Sequence, residues 1–450
     1  MTATPSPSTT GIPIEPGMPI CQADYPLDRY QEEFLPYAQE YLALPDRTPE
    51  SVIPWMEHYI GPVLKERGDE LLLLAHYYMG GEIVQLVERF GGRVADSYQL
   101  ALAARDEPER KVIIESAVHF MAESIAILAN DDQRVLITNP RSGCTMEMHA
   151  KEAMVEAAFH ALNDRYGADS ILPVCYMNTS GRVKALSGAQ GGAVCTSSNA
   201  AQIFRWARSK GKKIFFIPDR HLGENVAHSV GLDPAKIVHW PGGSASLTFD
   251  LEGAPEETRA SFDESELILF GSSCGVHTFF QPWMVKHWRA EDYTVVVHPE
   301  SPLDVASIAD GSGSTSFLWE HVMGDQSGTG RYAVATEGHF VRNLKKAAGA
   351  RGIEVVHLGE APDPAGGAPG LGCGCATMSR NDPPHLVALV DLLAKGKVPS
   401  INEVEAGDVV DEFTGRRDRL GPAEQEQLKI DARRALERMI AITTGQEVDA

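Results

Sequence analysis

The sequence is short of positive charge: 40 Lys and Arg stand against 62 Asp and Glu, a formal net charge of −22 over 450 residues. That balance repels nucleic acid and anionic membrane, which proteins recognise largely through Lys and Arg, so neither is expected as a partner. Long apolar runs are missing too. No stretch approaches the roughly 18 residues that a membrane-crossing helix needs. The opening MTATPSPSTTGIPIEPGMPI has no charged region followed by an apolar one and does not read as a secretory signal, so the expected compartment is the cytoplasm. Cysteine is scarce: seven residues, an odd number scattered from Cys21 to Cys375, do not make a disulfide framework in a reducing compartment. What is present is 43% hydrophobic content with 41 Gly and 28 Pro, the make-up of a globular chain of about two to four domains.

Residues 1–22, rich in Pro, Thr and Ser, are expected to form a disordered leader without chemistry. From Asp69 onward short apolar runs alternate with segments of helical period: LLLLAHYY, EIVQLVERF, KVIIES, HFMAESIAIL and RVLITN. After a helical stretch from Met146 to Tyr166 the rhythm resumes with ILPVCYMN, KKIFFIPD, TVVVHPES, RYAVATEG and IEVVHLG. This is the βαβ alternation of parallel sheets covered by helices, so the fold class is α/β. Ser244 to Glu264 breaks the rhythm and reads as a surface insertion. Near the end, Leu428, Ile430, Ala435, Leu436, Met439 and Ile440 form an apolar stripe at helical spacing, predicting a helix that packs back on the body.

The order of parts repeats three times. Strand ends carry polar residues two apart: His76 and Tyr78, Tyr176 and Asn178, His298 and Glu300. A hydroxyl-bearing loop follows each, at Ser97, Ser197 and Thr315. A cysteine in a Gly-containing loop then closes each unit, at Cys144, Cys274 and Cys375. The units fall at 49–145, 146–275 and 276–378, followed by C-terminal helices over 379–450. Ligands bind at the C-terminal ends of strands in such sheets, so three units presenting like loops predict one shared central site.

Three cysteines from separate loops suit a 4Fe-4S cluster lacking its fourth thiolate, which leaves one iron open as a Lewis acid. Buried cysteine is the plainer reading for Cys175 and Cys195, set in the apolar strands PVCYM and GAVCT. Spacing alone leaves Cys144, Cys274 and Cys375 open between core residues and ligands. Ser97, Ser197 and Thr315 are helix caps or oxyanion donors on the same footing. On residues alone an open iron suits dehydration better than electron transfer, and an open-iron dehydratase and an iron–sulfur sensor both stay open.

The strings AHYY (75–78), ADSYQLA (95–101), VHFMAE (118–123), YMNTSGRVKA (176–185), TSSNA (196–200), PDRHLG (218–223), VHPES (297–301), GSTS (313–316), ATEG (335–338) and CATM (375–378) resemble the quinolinate synthase family. The resemblance implies three pseudo-symmetric αβα three-layer domains around a central active site. One 4Fe-4S cluster per chain is then held by Cys144, Cys274 and Cys375 with one iron open. It also implies condensation of iminoaspartate with dihydroxyacetone phosphate to quinolinate, a precursor of NAD, and a functional link to an enzyme that oxidises L-aspartate. His76, Tyr78, His277, His298 and Glu300 would be the catalytic groups. His76, Ser97, Tyr176, Asn178, Ser197, His298, Glu300 and Thr315 would hold substrate oxygens. Departures from the family's pattern are the 244–264 segment, the N-terminal extension, ESAVHF where a glycine is usual before the valine, and a second cysteine, Cys373, just before Cys375.

Overall fold

A computed structural model of the chain describes residues 29–363, 374–411, 414 and 416–446. The leader, Cys21 and Cys373 lie outside the described residues. Among the described residues no helix is long and apolar enough to cross a membrane.

Three parallel sheets carry the molecule, each flanked by helices. The first is built from β1 (Leu71–His76), β2 (Arg93–Ala95), β3 (Val112–Ser116) and β4 (Arg134–Ile137), in the order β2-β1-β3-β4. The second holds β5 (Ile171–Tyr176), β6 (Ala193–Cys195), β7 (Lys213–Ile217), β8 (Ile237–Pro241) and β9 (Leu267–Gly271), in the order β6-β5-β7-β9-β8. The third holds β10 (Thr294–Val297), β11 (Gly311–Ser312), β12 (Arg331–Ala335) and β13 (Glu354–His357), in the order β11-β10-β12-β13. Strand order is the same in the first and third sheets, and the second adds β8 at its edge. The strands read as unbroken apolar runs because helices cover both faces, as LLLLA in β1 and ILPVC in β5 show by being buried throughout.

The segment 244–264 lies largely at the surface, as read, but it is not an insertion within a loop. It belongs to the crossover from β8 to its parallel neighbour β9, with a short 3-10 turn at Gly243–Leu247 and a helix at Glu256–Glu264. Trp240 Nε1 donates to Ser246 Oγ at 2.9 Å, Ser246 donates to the Met154 carbonyl at 2.6 Å, and Leu251 and Phe262 are buried. Its rhythm was hidden because the helix is short and acidic and buries only Phe262. The predicted helix from Met146 to Tyr166 is two, Thr145–His149 and Glu152–Tyr166. The C-terminal helix Pro422–Thr444 packs on the helix Gly181–Ala189, so closely that a Cβ on Gly188 would meet the Asp431 carbonyl oxygen at 1.8 Å. Its stripe is buried as read except for Ile430, which faces water at 39% exposure; Ala432 takes the inward place.

Glu115, on β3 between Leu74 and Ile137, is fully buried and neither carboxylate oxygen has a hydrogen-bond partner. Burial pushes its pKa up from 4.5 to about 8. Below pH 4.5 the group is protonated in both folded and unfolded chains. Between there and pH 8 only the unfolded chain ionises, so it binds fewer protons and stability falls as pH rises, by on the order of 5 kcal/mol. Glu115→Gln is therefore expected to flatten the decline in melting temperature from pH 5 to 8. Parallel declines in variant and parent would show that Glu115 does not titrate in this way.

Candidate active site

The strand ends converge on a cavity of about 270 Å³. All the sequence-predicted residues line it: His76 and Tyr78 at the end of β1, Tyr176 and Asn178 at the end of β5, His298 and Glu300 just after β10, with Ser97, Ser197, Thr315, His277, Cys144, Cys274 and Cys375. Residues two apart at a strand's end share a direction, which is why the spacing was informative.

His76 and His298 are fixed alike. The Tyr78 backbone N–H donates to His76 Nδ1 at 3.2 Å, and the Glu300 N–H donates to His298 Nδ1 at 3.4 Å. With a lone pair committed at Nδ1, each neutral ring carries its proton on Nε2. Burial lowers the pKa of His76 to about 4; burial and then His277 lower that of His298 to about 3. Both are therefore neutral hydrogen-bond donors.

Glu300 joins two of the sheets. Its Oε1 accepts the Tyr176 hydroxyl at 2.5 Å, and its Oε2 stands 2.9 Å from His277 Nδ1, a close contact rather than an aligned hydrogen bond. Burial works against its charge, yet His277 beside it holds the carboxyl below the usual carboxylate range. The His277 ring also stacks on His298, centroids 4.5 Å apart. Burial and then the Glu300 charge push the hydroxyls of Tyr78 and Tyr176 well above their ordinary pKa, so both stay protonated.

Ser97 and Thr315 are the first residues of helices Ser97–Asp106 and Thr315–Met323. The caps are made by their neighbours: Asp96 accepts from the Gln99 N–H and Ser314 from the Phe317 N–H. The hydroxyls of Ser97 and Thr315 are thus left to the cavity beside backbone N–H groups, the usual setting for an anion. Ser197 lies in the turn before helix Ala200–Ser209.

Cys144, Cys274 and Cys375 follow β4, β9 and the third sheet's last strand β13, each cysteine being free and half-buried. The Cys144 and Cys375 loops are tied directly, Ser142 Oγ donating to the Thr377 carbonyl at 2.5 Å and Asn381 Nδ2 to Ser142 Oγ at 2.8 Å. Burial raises the pKa of all three thiols. Cys375 adds to the shift at Cys144, and Glu300, Cys375 and Cys144 add to it at Cys274. Burial disfavours three separate thiolate charges around one cavity unless a cation joins them, so the donor set fits a thiolate-bound metal group. The donor atoms of Cys274, His277 and Glu300 also lie within 4.8 Å of one another. Cys175 and Cys195 are buried in β5 and β6, as read. His239 pairs with Glu224 on the surface.

Sequence reading missed Thr336, whose buried Oγ1 lies 2.9 Å from the Tyr78 hydroxyl and 3.2 Å from His277 Nε2. His357 is structural: its Nε2 donates to the Thr336 carbonyl at 2.9 Å. The ATEG string held the signal for Thr336, though not its partners.

Parallel α/β sheets that bring fixed imidazoles, an ionised carboxylate and three thiols to one cavity define an enzyme with donors for a metal group and for proton transfer. A family profile described as "Quinolinate synthetase A protein" matches residues 60–441. The chain is 33% identical over 383 residues to a quinolinate synthase of Corynebacterium glutamicum, covering 85% of this chain and 86% of that one. It is 35% identical over 377 residues to that of Acidobacterium capsulatum, covering 82% and 91%. With that of Geobacillus kaustophilus it is 34% identical over 382 residues, covering 84% and 91%. The chain belongs to this family, the quinolinate synthases of NAD biosynthesis.

Proposed function

We propose that this cavity condenses iminoaspartate with dihydroxyacetone phosphate to quinolinate, with loss of phosphate and water. The observation that carries the reading is the meeting of Cys144, Cys274 and Cys375 with His76, Tyr78, His277, His298 and Glu300 around one cavity. A 4Fe-4S cluster on the three cysteines, with one iron open, would supply a Lewis acid for substrate oxygen or nitrogen.

The chain's own residues supply the rest. Both substrates are anions, and a protein of charge −22 needs local donors to hold them. Ser97, Ser197, Thr315 and Asn178, with the N–H groups at their helix starts, provide hydroxyl, amide and backbone donors for phosphate and carboxylate oxygens. The Nε2–H groups of His76 and His298 stabilise negative charge developing on a carbonyl or hydroxyl oxygen. Glu300, ionised and oriented by Tyr176 and His277, accepts a proton; Tyr78, protonated and set by Thr336, donates one. Iminoaspartate is unstable, so the enzyme works beside one that oxidises L-aspartate.

Protein purified without oxygen should contain iron and sulfide in equal amounts, about four of each per chain. It should form quinolinate when iminoaspartate is generated in the presence of dihydroxyacetone phosphate. Dehydration of a hydroxy acid without quinolinate formation would make it a different open-iron enzyme. Absence of bound iron after anaerobic reconstitution would remove the cluster from the reading.

A further inference from the structure

Two buried carboxylates outside the substrate cavity hold cysteine loops. Asp219 and Glu337 each stand two residues beyond the third strand of their sheet, β7 and β12, at the start of the next helix. Both are fully buried. Asp219 Oδ1 accepts the Leu222 N–H of its own helix at 2.7 Å, and its Oδ2 accepts the Cys274 N–H at 3.0 Å. Glu337 Oε2 accepts the His339 N–H at 2.7 Å and the Phe340 N–H at 3.1 Å, while its Oε1 accepts the Cys375 N–H at 3.0 Å and also lies 2.8 Å from His339 Nδ1. Each carboxylate is thus divided between a helix N-terminus and a cysteine that arrives 55 or 38 residues later.

The first sheet shows what this arrangement adds. The helix-start N–H bonds the carbonyl two residues before the cysteine in the first and second sheets alike, His119 to Ser142 at 2.7 Å and Arg220 to Ser272 at 2.8 Å. At the position of Asp219 and Glu337, however, the first sheet has Val118, which makes no side-chain cap. The Cys144 loop is held instead by Ser142, Thr377 and Asn381.

We infer that Asp219 and Glu337 are positioning residues for the metal group: each fixes the backbone of one cysteine, Cys274 or Cys375, so that its thiol is presented to the cavity before the group binds. The bond restrains the N–H, and with it the Cα–Cβ direction, in the way outer partners orient metal ligands generally. A bond from a carboxyl oxygen to a buried cysteine N–H satisfies that donor and spares a loop that must stay open to the cavity from having to pack on it. The inference rests on the three-cysteine reading of the site.

Asp219→Ser and Glu337→Ser test it, because serine keeps the helix cap but is too short to reach the cysteine loop. In cluster-free protein, amide hydrogen exchange at Cys274 should speed up in Asp219→Ser and not in Glu337→Ser. Exchange at Cys375 should do the reverse, and Cys144 should not change in either. After anaerobic reconstitution, iron release to a chelator should be roughly 10–100-fold faster in both variants. Asp219→Asn and Glu337→Gln, nearer in size, replace the serine variants if those do not fold. Unchanged exchange at the paired cysteine, equal loosening of both loops in each variant, or unaltered iron release would overturn the inference. A parent protein that binds no iron would sink the cluster reading instead, while the exchange measurement would still decide this one.

Discussion

Replacing any one of Cys144, Cys274 or Cys375 by serine is expected to abolish the visible absorbance of the cluster and quinolinate formation together. Each thiol lines the same cavity, and no other described cysteine does. A serine hydroxyl is a hard, weakly acidic donor and does not replace thiolate toward iron. The ligand count gives the loss its size, because two remaining cysteines would have to hold a cluster in a site with three. Cys195→Ser changes a residue buried in β6 and should leave both absorbance and turnover in place at some cost in stability. The decisive comparison is between Cys373 and Cys375. Absorbance lost in Cys373→Ser and kept in Cys375→Ser would move the third ligand two residues upstream.

The positions of these groups were legible in the sequence for a geometric reason. In a parallel sheet the chain leaves each strand at the same edge, so polar residues that interrupt apolar runs at corresponding points are brought to one place. His76, Tyr176 and His298 do so, and so do the three cysteine loops. Partners from distant segments were not legible. Thr336 belongs to a recognised string, but its bonds to Tyr78 and His277 span 258 and 59 residues. Asp219 and Glu337 look like ordinary helix caps until the cysteine N–H groups arrive on them. Charge state was hidden as well: only burial in the assembled cavity keeps His76 and His298 neutral, and the residue type alone suggests titration near pH 6.5. The 244–264 segment was misread for the opposite reason, since its one buried helical residue, Phe262, is too little pattern to reveal a crossover.

Glu300→Gln should fold and take up the cluster, because it removes no cysteine and is nearly isosteric, yet turnover should fall by roughly 100-fold or more. Glu300 accepts from Tyr176 on one oxygen and faces His277 on the other. An amide can accept on one side only and presents N–H to the other, so the carboxylate's two acceptor oxygens become one and the negative charge opposite His277 is gone. Loss of a proton acceptor therefore coincides with loss of the partner that orients His277. Tyr78→Phe makes the companion test, since it deletes a single hydroxyl bonded to Thr336. A tyrosine that served only the fold would lose about one hydrogen bond's worth of stability, near 1 kcal/mol, and keep its rate. A tyrosine that delivers a proton would keep its melting temperature within that margin and its cluster spectrum while turnover collapsed. Both variants are expected to be folded, cluster-loaded and nearly inactive, and a bound, partly processed substrate in either would mark the step its residue serves. Near-normal quinolinate formation by one variant would remove that residue from the chemistry. Normal rates in both would leave the cavity without its proposed proton acceptor and donor, and the central-site mechanism would fall with them.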